Sequence, residues 1–359
     1  MSDKRIEIGT ISRERFGPLN KYLDDENITD IDYNGNYTWI TNVYGNRKII
    51  EEPELTRQWY DIFCQRVADV VSKPFNKQNE VLEAETENLR ITCVHESVAM
   101  TGTAVCIRKT SESPRISYEA AIRDGYAPEE VMNLLINCMV GKMNFIICGE
   151  PGAGKTEFAK FLCQFINARE KVITIEDNPE WHYKSFRPFA DCIEFRINDK
   201  FDYTTALKTC MRLNPSRVML SEVRSVEVVY LIECWMAGVK GITTLHTDDV
   251  RKIPDRILTM MPSVDAERLE TNIYECLDIG ILLRARTMPD GKKYRYIDQM
   301  CFFERVDHEN KCIELVKGGK LISKSIPGSK VTKLTRENIM DPFDVKEEIL
   351  KRENTGVAK

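Results

Sequence analysis

Short apolar runs recur from Met143 onward: MNFIICG, KVITI, CIEFR, RVML and GITTL. Each is too brief for a stable helix and rich in β-branched or aromatic residues. Between them lie EFAKFLCQF, YTTALKTCM and VEVVYLIECWMAG, whose apolar residues return at helical spacing. Phe158, Phe161, Leu162 and Phe165 share one side of the first. Strands that alternate with helices are joined by crossovers rather than tight hairpins, so they form a mainly parallel sheet covered by helices. The expected fold class is α/β. The chain has 359 residues, enough for two domains, and 42% hydrophobic residues, enough for a sizeable core.

Upstream of these runs the pattern is different. ITDIDYNGNYTWIT alternates apolar and polar residues around Asn34-Gly35, a hairpin signal, and NVYGNRKII suggests a further turn and strand. Trp59, Ile62, Phe63, Val67, Val70 and Val71 mark a helix that Pro74 ends, and LRITCVH and TAVCIRK read as strands. These features predict a smaller N-terminal α/β domain over 1–109. TSESPRIS opens a linker over 110–125, and Pro128 and Gly141 bracket the next helix. The parallel-sheet domain is expected over 126–305, including a hairpin about Asp290-Gly291. Residues 306–359 are charged and weakly patterned, and read as a C-terminal extension of unknown role.

Composition narrows the function classes. A net charge of −5, with no long basic strip, argues against strong nucleic-acid binding. MSDKRIEIGT lacks a signal-peptide core. The most hydrophobic stretch is interrupted by Asn133, Asn137, Gly141, Lys142 and Asn144, too polar to span a bilayer. The expected location is cytoplasmic, with at most peripheral membrane contact. No pair of the 12 cysteines has CxxC spacing, which points to reduced, structural thiols rather than zinc.

The segment GEPGAGKTEFAKFL follows a strand pattern and opens a helix pattern. Its spacing, Gly149-x-x-x-x-Gly154-Lys155-Thr156, fits a phosphate-binding loop. Phosphate oxygens need several backbone N–H donors converging on them. Glycines let the chain approach closely, and the helix N-terminus faces the negative charge. Gly149, Pro151, Gly152, Ala153 and Gly154 are the candidate cradle for ATP. Lys155 would reach the β/γ-phosphates, and Thr156 would ligate Mg²⁺.

Hydrolysis needs more than binding. Glu176 and Asp177 follow KVITI, Glu222 follows RVML, and His246 ends GITTLH. Ligands of parallel α/β sheets gather at the carboxyl ends of strands, which brings these residues towards the loop. One carboxylate, Glu222, would organise Mg²⁺ partly through water, and another, Glu176, would orient the attacking water. His246 would contact the γ-phosphate or that water.

In the order GEPGAGKT, ITIEDNPEW, MRLNPSRVMLSEVR and GITTLHT, these segments resemble the secretion and pilus ATPase superfamily, the GspE/PilT-like type II/IV secretion system ATPases. There they are the Walker A, Asp-box, Walker B and His-box segments. The resemblance implies a RecA-like domain after a smaller N-terminal domain, a homo-hexameric ring, and an inner-membrane platform protein as partner. It implies that Glu176 is the catalytic glutamate and Glu222 the Walker-B acid. By the same match Arg212, Arg108 and Arg90 are arginines that meet phosphate charge. Ser221 and Ser225 stand where the superfamily usually has glycine, which puts the local backbone in question. CxxC and an AIRNLIRE-like segment are absent, and the stretch LRITCVHESVAMTGTAVCIRK resembles the CpaF-like and conjugation-type branch best. The implied function is an ATP-driven motor for pilus assembly, secretion or conjugative transfer. A nucleic-acid translocating motor and a nucleotide-dependent regulatory protein are the competing readings.

Overall fold

A computed structural model of the chain describes residues 11–86, 88–260, 265–289 and 291–354. Asp290 of the expected turn lies outside the described residues. The chain divides into two units, Met1–Ser111 with Thr287–Lys293, and Glu112–Arg286 with Tyr294–Lys359. The break falls inside TSESPRIS. The second half of the expected linker instead forms the helix Tyr118–Arg123, whose first turn is capped by Ser117.

The first unit is an antiparallel six-stranded sheet in the order β3-β2-β1-β6-β5-β4. Its strands are β1 (Ile28–Tyr33), β2 (Thr38–Asn42), β3 (Arg47–Ile50), β4 (Val81–Glu85), β5 (Leu89–Val94) and β6 (Ala104–Lys109). Ile31, Ile91 and Ile107 occupy one face and are buried with Tyr60, Phe63 and Val67 of the helix Arg57–Val71. Thr56 caps that helix by accepting from the Trp59 N–H. Ile62, expected on the apolar side, is 42% exposed. The opposite face of the sheet carries Asp30, Arg108 and Arg90 in neighbouring register.

The second unit holds a nine-stranded sheet in the order β15-β14-β13-β12-β7-β11-β10-β8-β9. Five strands are β7 (Phe145–Gly149), β8 (Val172–Glu176), β9 (Cys192–Arg196), β10 (Arg217–Leu220) and β11 (Lys240–Leu245). The others are β12 (Ile279–Thr287), β13 (Lys293–Val306), β14 (Glu309–Lys317) and β15 (Lys320–Leu321). From β12 through β9 each neighbouring pair is parallel. Alternate residues of the central strands join different cores, as a period of two requires. Phe145 and Ile147 pack with the helices Glu129–Val140 and Lys155–Cys163, whereas Ile146 and Cys148 pack with Tyr203–Arg212 and Glu227–Met236. Both faces are therefore covered.

Residues 306–354 are integral to this unit rather than an extension from it. β14 pairs antiparallel with β13. Leu334, Ile339, Val345 and Ile349 enter the same core as the helix Glu129–Val140. Asn133 and Asn137 donate to the carbonyls of Phe343, Pro342 and Asp344. The segment reads as solvated because some of its charges are interior. Asp278, fully buried just before β12, accepts from Lys330 Nζ at 2.6 Å and from Lys333 Nζ at 2.6 and 2.8 Å. It also accepts the Asn144 N–H at 2.8 Å, ahead of β7. Burial alone would raise the Asp278 pKa, but the two ammonium groups outweigh it and hold the carboxyl below its ordinary range.

Removing this carboxylate strands buried Lys330 without its anion. Asp278→Ala should therefore cost about 3–5 kcal/mol, read as a lower urea midpoint. A depressed folded pKa places that contribution above the ordinary carboxylate pKa of about 4. It should fade as pH falls below that value, so the gap between wild type and variant should narrow in acid.

Candidate nucleotide site

The loop between β7 and the helix Lys155–Cys163 turns through three glycines with positive φ, Gly149 at 146°, Gly152 at 78° and Gly154 at 90°. At Gly149 a Cβ would lie 2.5 Å from the Leu283 carbonyl oxygen of β12, so no larger residue fits there. Ala153 is buried beneath the loop, while Pro151 and Gly152 are exposed, and a Cβ on Gly152 would meet nothing within 4 Å. The loop backbone is thus open to approach from outside, and it feeds directly into a helix N-terminus.

Four strand ends converge on it. Lys155 Nζ donates to the Gly149 carbonyl at 3.0 Å and lies 3.4 Å from the Glu150 carbonyl. His246, the residue after β11, places Nδ1 at 3.1 Å from the same Gly149 oxygen and Nε2 at 2.8 Å from Glu222 Oε1. Burial lowers the Lys155 pKa, and Glu222 opposes that shift. Arg224 grips the other Glu222 oxygen through Nε at 3.0 Å and Nη2 at 2.8 Å, and reaches Asp177 Oδ2 at 3.3 Å. Thr156 Oγ1 donates to Glu180 Oε2 at 3.1 Å.

Lys155, Thr156, Glu222 and His246 are thereby brought together. Glu176, at the end of β8, is turned into its own loop. It is 5% exposed, and its Oε2 accepts the N–H groups of Glu180 at 2.7 Å and Trp181 at 3.1 Å. It folds its own loop, and that turn carries Glu180 to Thr156. Burial pushes the Glu176 pKa up to about 8, against the pull of the two N–H bonds. Glu180 lay inside the quoted DNPEW segment, but which of two carboxylates faces outward depends on the turn between them.

Arg212 is exposed at the end of the helix Tyr203–Arg212, ahead of β10, whereas Glu222 follows that strand. Arg108 and Arg90 belong to the first unit, where they stand directly opposite each other on β6 and β5. Arg108 Nε donates to Asp30 at 2.8 Å, and Arg90 lies 3.9 Å from Glu83. Two contacts had no sequence signal. Arg224 braces Glu222, and Arg295 of β13 donates to the Gly152 carbonyl at 3.2 Å. The two serines in glycine positions leave the backbone undisturbed. Neither Ser221 nor Ser225 has positive φ, and Ser221 Oγ sits 3.2 Å from Tyr203 Oη.

The residue set fits a magnesium nucleotide. An open loop with a helix N-terminus and a lysine suits phosphate oxygens, and the Thr156 hydroxyl and the Glu222 carboxylate are the hard oxygens that Mg²⁺ takes. No helix among the described residues is long and apolar enough to cross a membrane.

Residues 77–312 match the family model described as type II/IV secretion system protein. An uncharacterised Bacillus anthracis protein is 28% identical over 273 residues, covering 75% of this chain and 62% of the relative. The type IV secretion system protein VirB11 of Bartonella henselae is 25% identical, covering 68% of this chain and 79% of its own. The fold is similar to that of the ATPase DotB of Yersinia pseudotuberculosis, with a TM-score of 0.63, 14% identity, and coverage of 97% and 95% of the two chains. The chain spans between 33% and 62% of the length of the first three curated relatives it matches.

The raised Glu176 pKa has a stability consequence. Its contribution is intact below the ordinary value of 4.5 and is lost as pH climbs to about 8. Glu176→Gln keeps an acceptor for both N–H groups and has no proton to lose. Urea midpoints measured from pH 5 to pH 8.5 should fall less steeply in this variant than in wild type.

Proposed function

The chain belongs to the type II/IV secretion system protein family, and from that premise we propose that it is a Mg²⁺-dependent ATP hydrolase with a RecA-like second unit. One observation carries this reading: the loop lysine, the loop threonine, two carboxylates and a histidine meet at the carboxyl ends of parallel strands. Gly149, Pro151, Gly152, Ala153, Gly154, Lys155 and Thr156 form the nucleotide cradle. Bound Mg²⁺–ATP supplies the phosphoanhydride to be cleaved and a cation that draws charge from its oxygens.

The chain's own residues supply position and charge. Lys155 shifts its ammonium from the Gly149 carbonyl to phosphate oxygens. Thr156 and Glu222 hold the metal side, with Arg224 fixing the Glu222 rotamer. Glu180, rather than Glu176, orients the attacking water and accepts its proton. His246 links the loop carbonyl to Glu222 and so reports on the γ-phosphate position to β11. Arg108 and Arg90 provide guanidinium charge from the first unit, and Arg212 acts only across a subunit boundary. The chain works as a homo-hexamer at the cytoplasmic face of the membrane. It drives a platform protein of a pilus, secretion or conjugation machine, a role in keeping with the VirB11 relative.

The test is ATP hydrolysis per subunit against protein concentration. The rate should rise cooperatively and vanish in Lys155→Ala. Glu180→Gln should lose about 100-fold or more, the usual worth of a positioned base, while Glu176→Gln stays within about threefold of wild type, as expected for a residue outside the chemistry. A flat concentration profile would remove the ring. Equal losses in the two glutamine variants would remove Glu180 from its role.

A further inference from the structure

The opposite ends of the parallel strands hold a second polar cluster. A cavity of about 450 Å³ opens there, within the range of small-molecule sites. One wall is the chain leading into β8, β10 and β11, and the other is the C-terminal segment around Lys346 and Arg352. A five-residue strand such as β7 spans about 16 Å, so this cavity is well separated from the phosphate loop.

Its charges do not balance internally. Glu170 is held by Arg217 at 2.7 Å, and Glu337 by Lys142 at 2.6 Å. That leaves Glu348 against Arg169, Lys240, Lys346 and Arg352. Arg352 donates to the Phe165 carbonyl at 3.0 Å, and Lys346 Nζ lies 3.4 Å from the Asn338 carbonyl. The side chains of Lys240 and Arg169 have no hydrogen-bond or ion-pair partner among the described residues. Lys240 is half-buried at the start of β11, with the cations Lys333 and Arg217 acting on it. The carboxylate near it, Asp278, is already engaged by Lys330 and Lys333. Burial first, and Lys333 next, lower the Lys240 pKa.

A half-buried ammonium repelled by its neighbours calls for an external anion. Two guanidinium groups, Arg169 in one wall and Arg352 in the other, favour one with several oxygens and more than one negative charge. We infer that this cavity binds a small phosphorylated anion, at a site distinct from the phosphate loop, with Lys240 and Arg169 as its principal contacts. Such a ligand would bridge the strand starts and the C-terminal segment.

Pyrophosphate titrated calorimetrically into the full chain carrying Lys155→Ala, which disables the phosphate loop, tests the site. One binding event per chain is expected. Lys240→Gln and Arg169→Gln should each weaken it about tenfold or more, the worth of a charged hydrogen bond, and Lys240→Arg should retain it. Arg169 is exposed, so its variant reports on binding even where Lys240→Gln impairs folding. Absence of binding in the Lys155→Ala chain would overturn the inference, as would affinity unchanged by Arg169→Gln.

Discussion

A strand buried on both faces has room for a charged side chain only at its ends. β7, β8, β10 and β11 obey this closely: Glu176 is the last residue of β8, Arg217 the first of β10 and Lys240 the first of β11. Parallel pairing then sorts the ends. All carboxyl ends fall on one edge of the sheet, where the glycine loop, Glu222 and His246 meet. All amino ends fall on the other, where Arg217, Lys240 and Asp278 collect. The polar chemistry of the second unit is concentrated at two edges because its interior cannot hold it.

The two edges solve the problem of charge differently. At the amino edge Asp278 is neutralised by lysines from the helix Gly328–Arg336, a contact that ties the C-terminal segment to β7 and β12. At the carboxyl edge the charges remain partly open to solvent and are held by cross-strand contacts. Arg224 steadies Glu222, and Arg295 steadies the outer turn of the loop. A backbone that must stay approachable is supported from beneath and from the side, by Ala153 and by β12 and β13.

Much of this was legible in the sequence because it is written locally. Alternation within MNFIICG or GITTL, helical spacing through Phe158 and Phe165, and the spacing of Gly149, Gly154 and Lys155 need no distant partner to be read. What the sequence hid depends on partners far along the chain. Lys330 and Lys333 look like surface residues until Asp278 is beside them. Glu176 and Glu180 are separated by one turn, and backbone donors rather than residue type decide which is spent inside. Arg295 reaches Gly152 only because β13 lies next to β12. Arg212 stood close in sequence to Glu222, yet a strand separates them.

β11 joins the two edges in a single span. Lys240 begins it, and His246 follows its last residue. It is hydrogen-bonded to β7 on one side and β10 on the other, and nearly every residue is buried. Such a segment cannot buckle or fray without breaking both ladders. It holds Lys240 and His246 at the fixed spacing of a fully paired strand. The two polar edges of the sheet are therefore spaced by one strand that its neighbours hold on both sides.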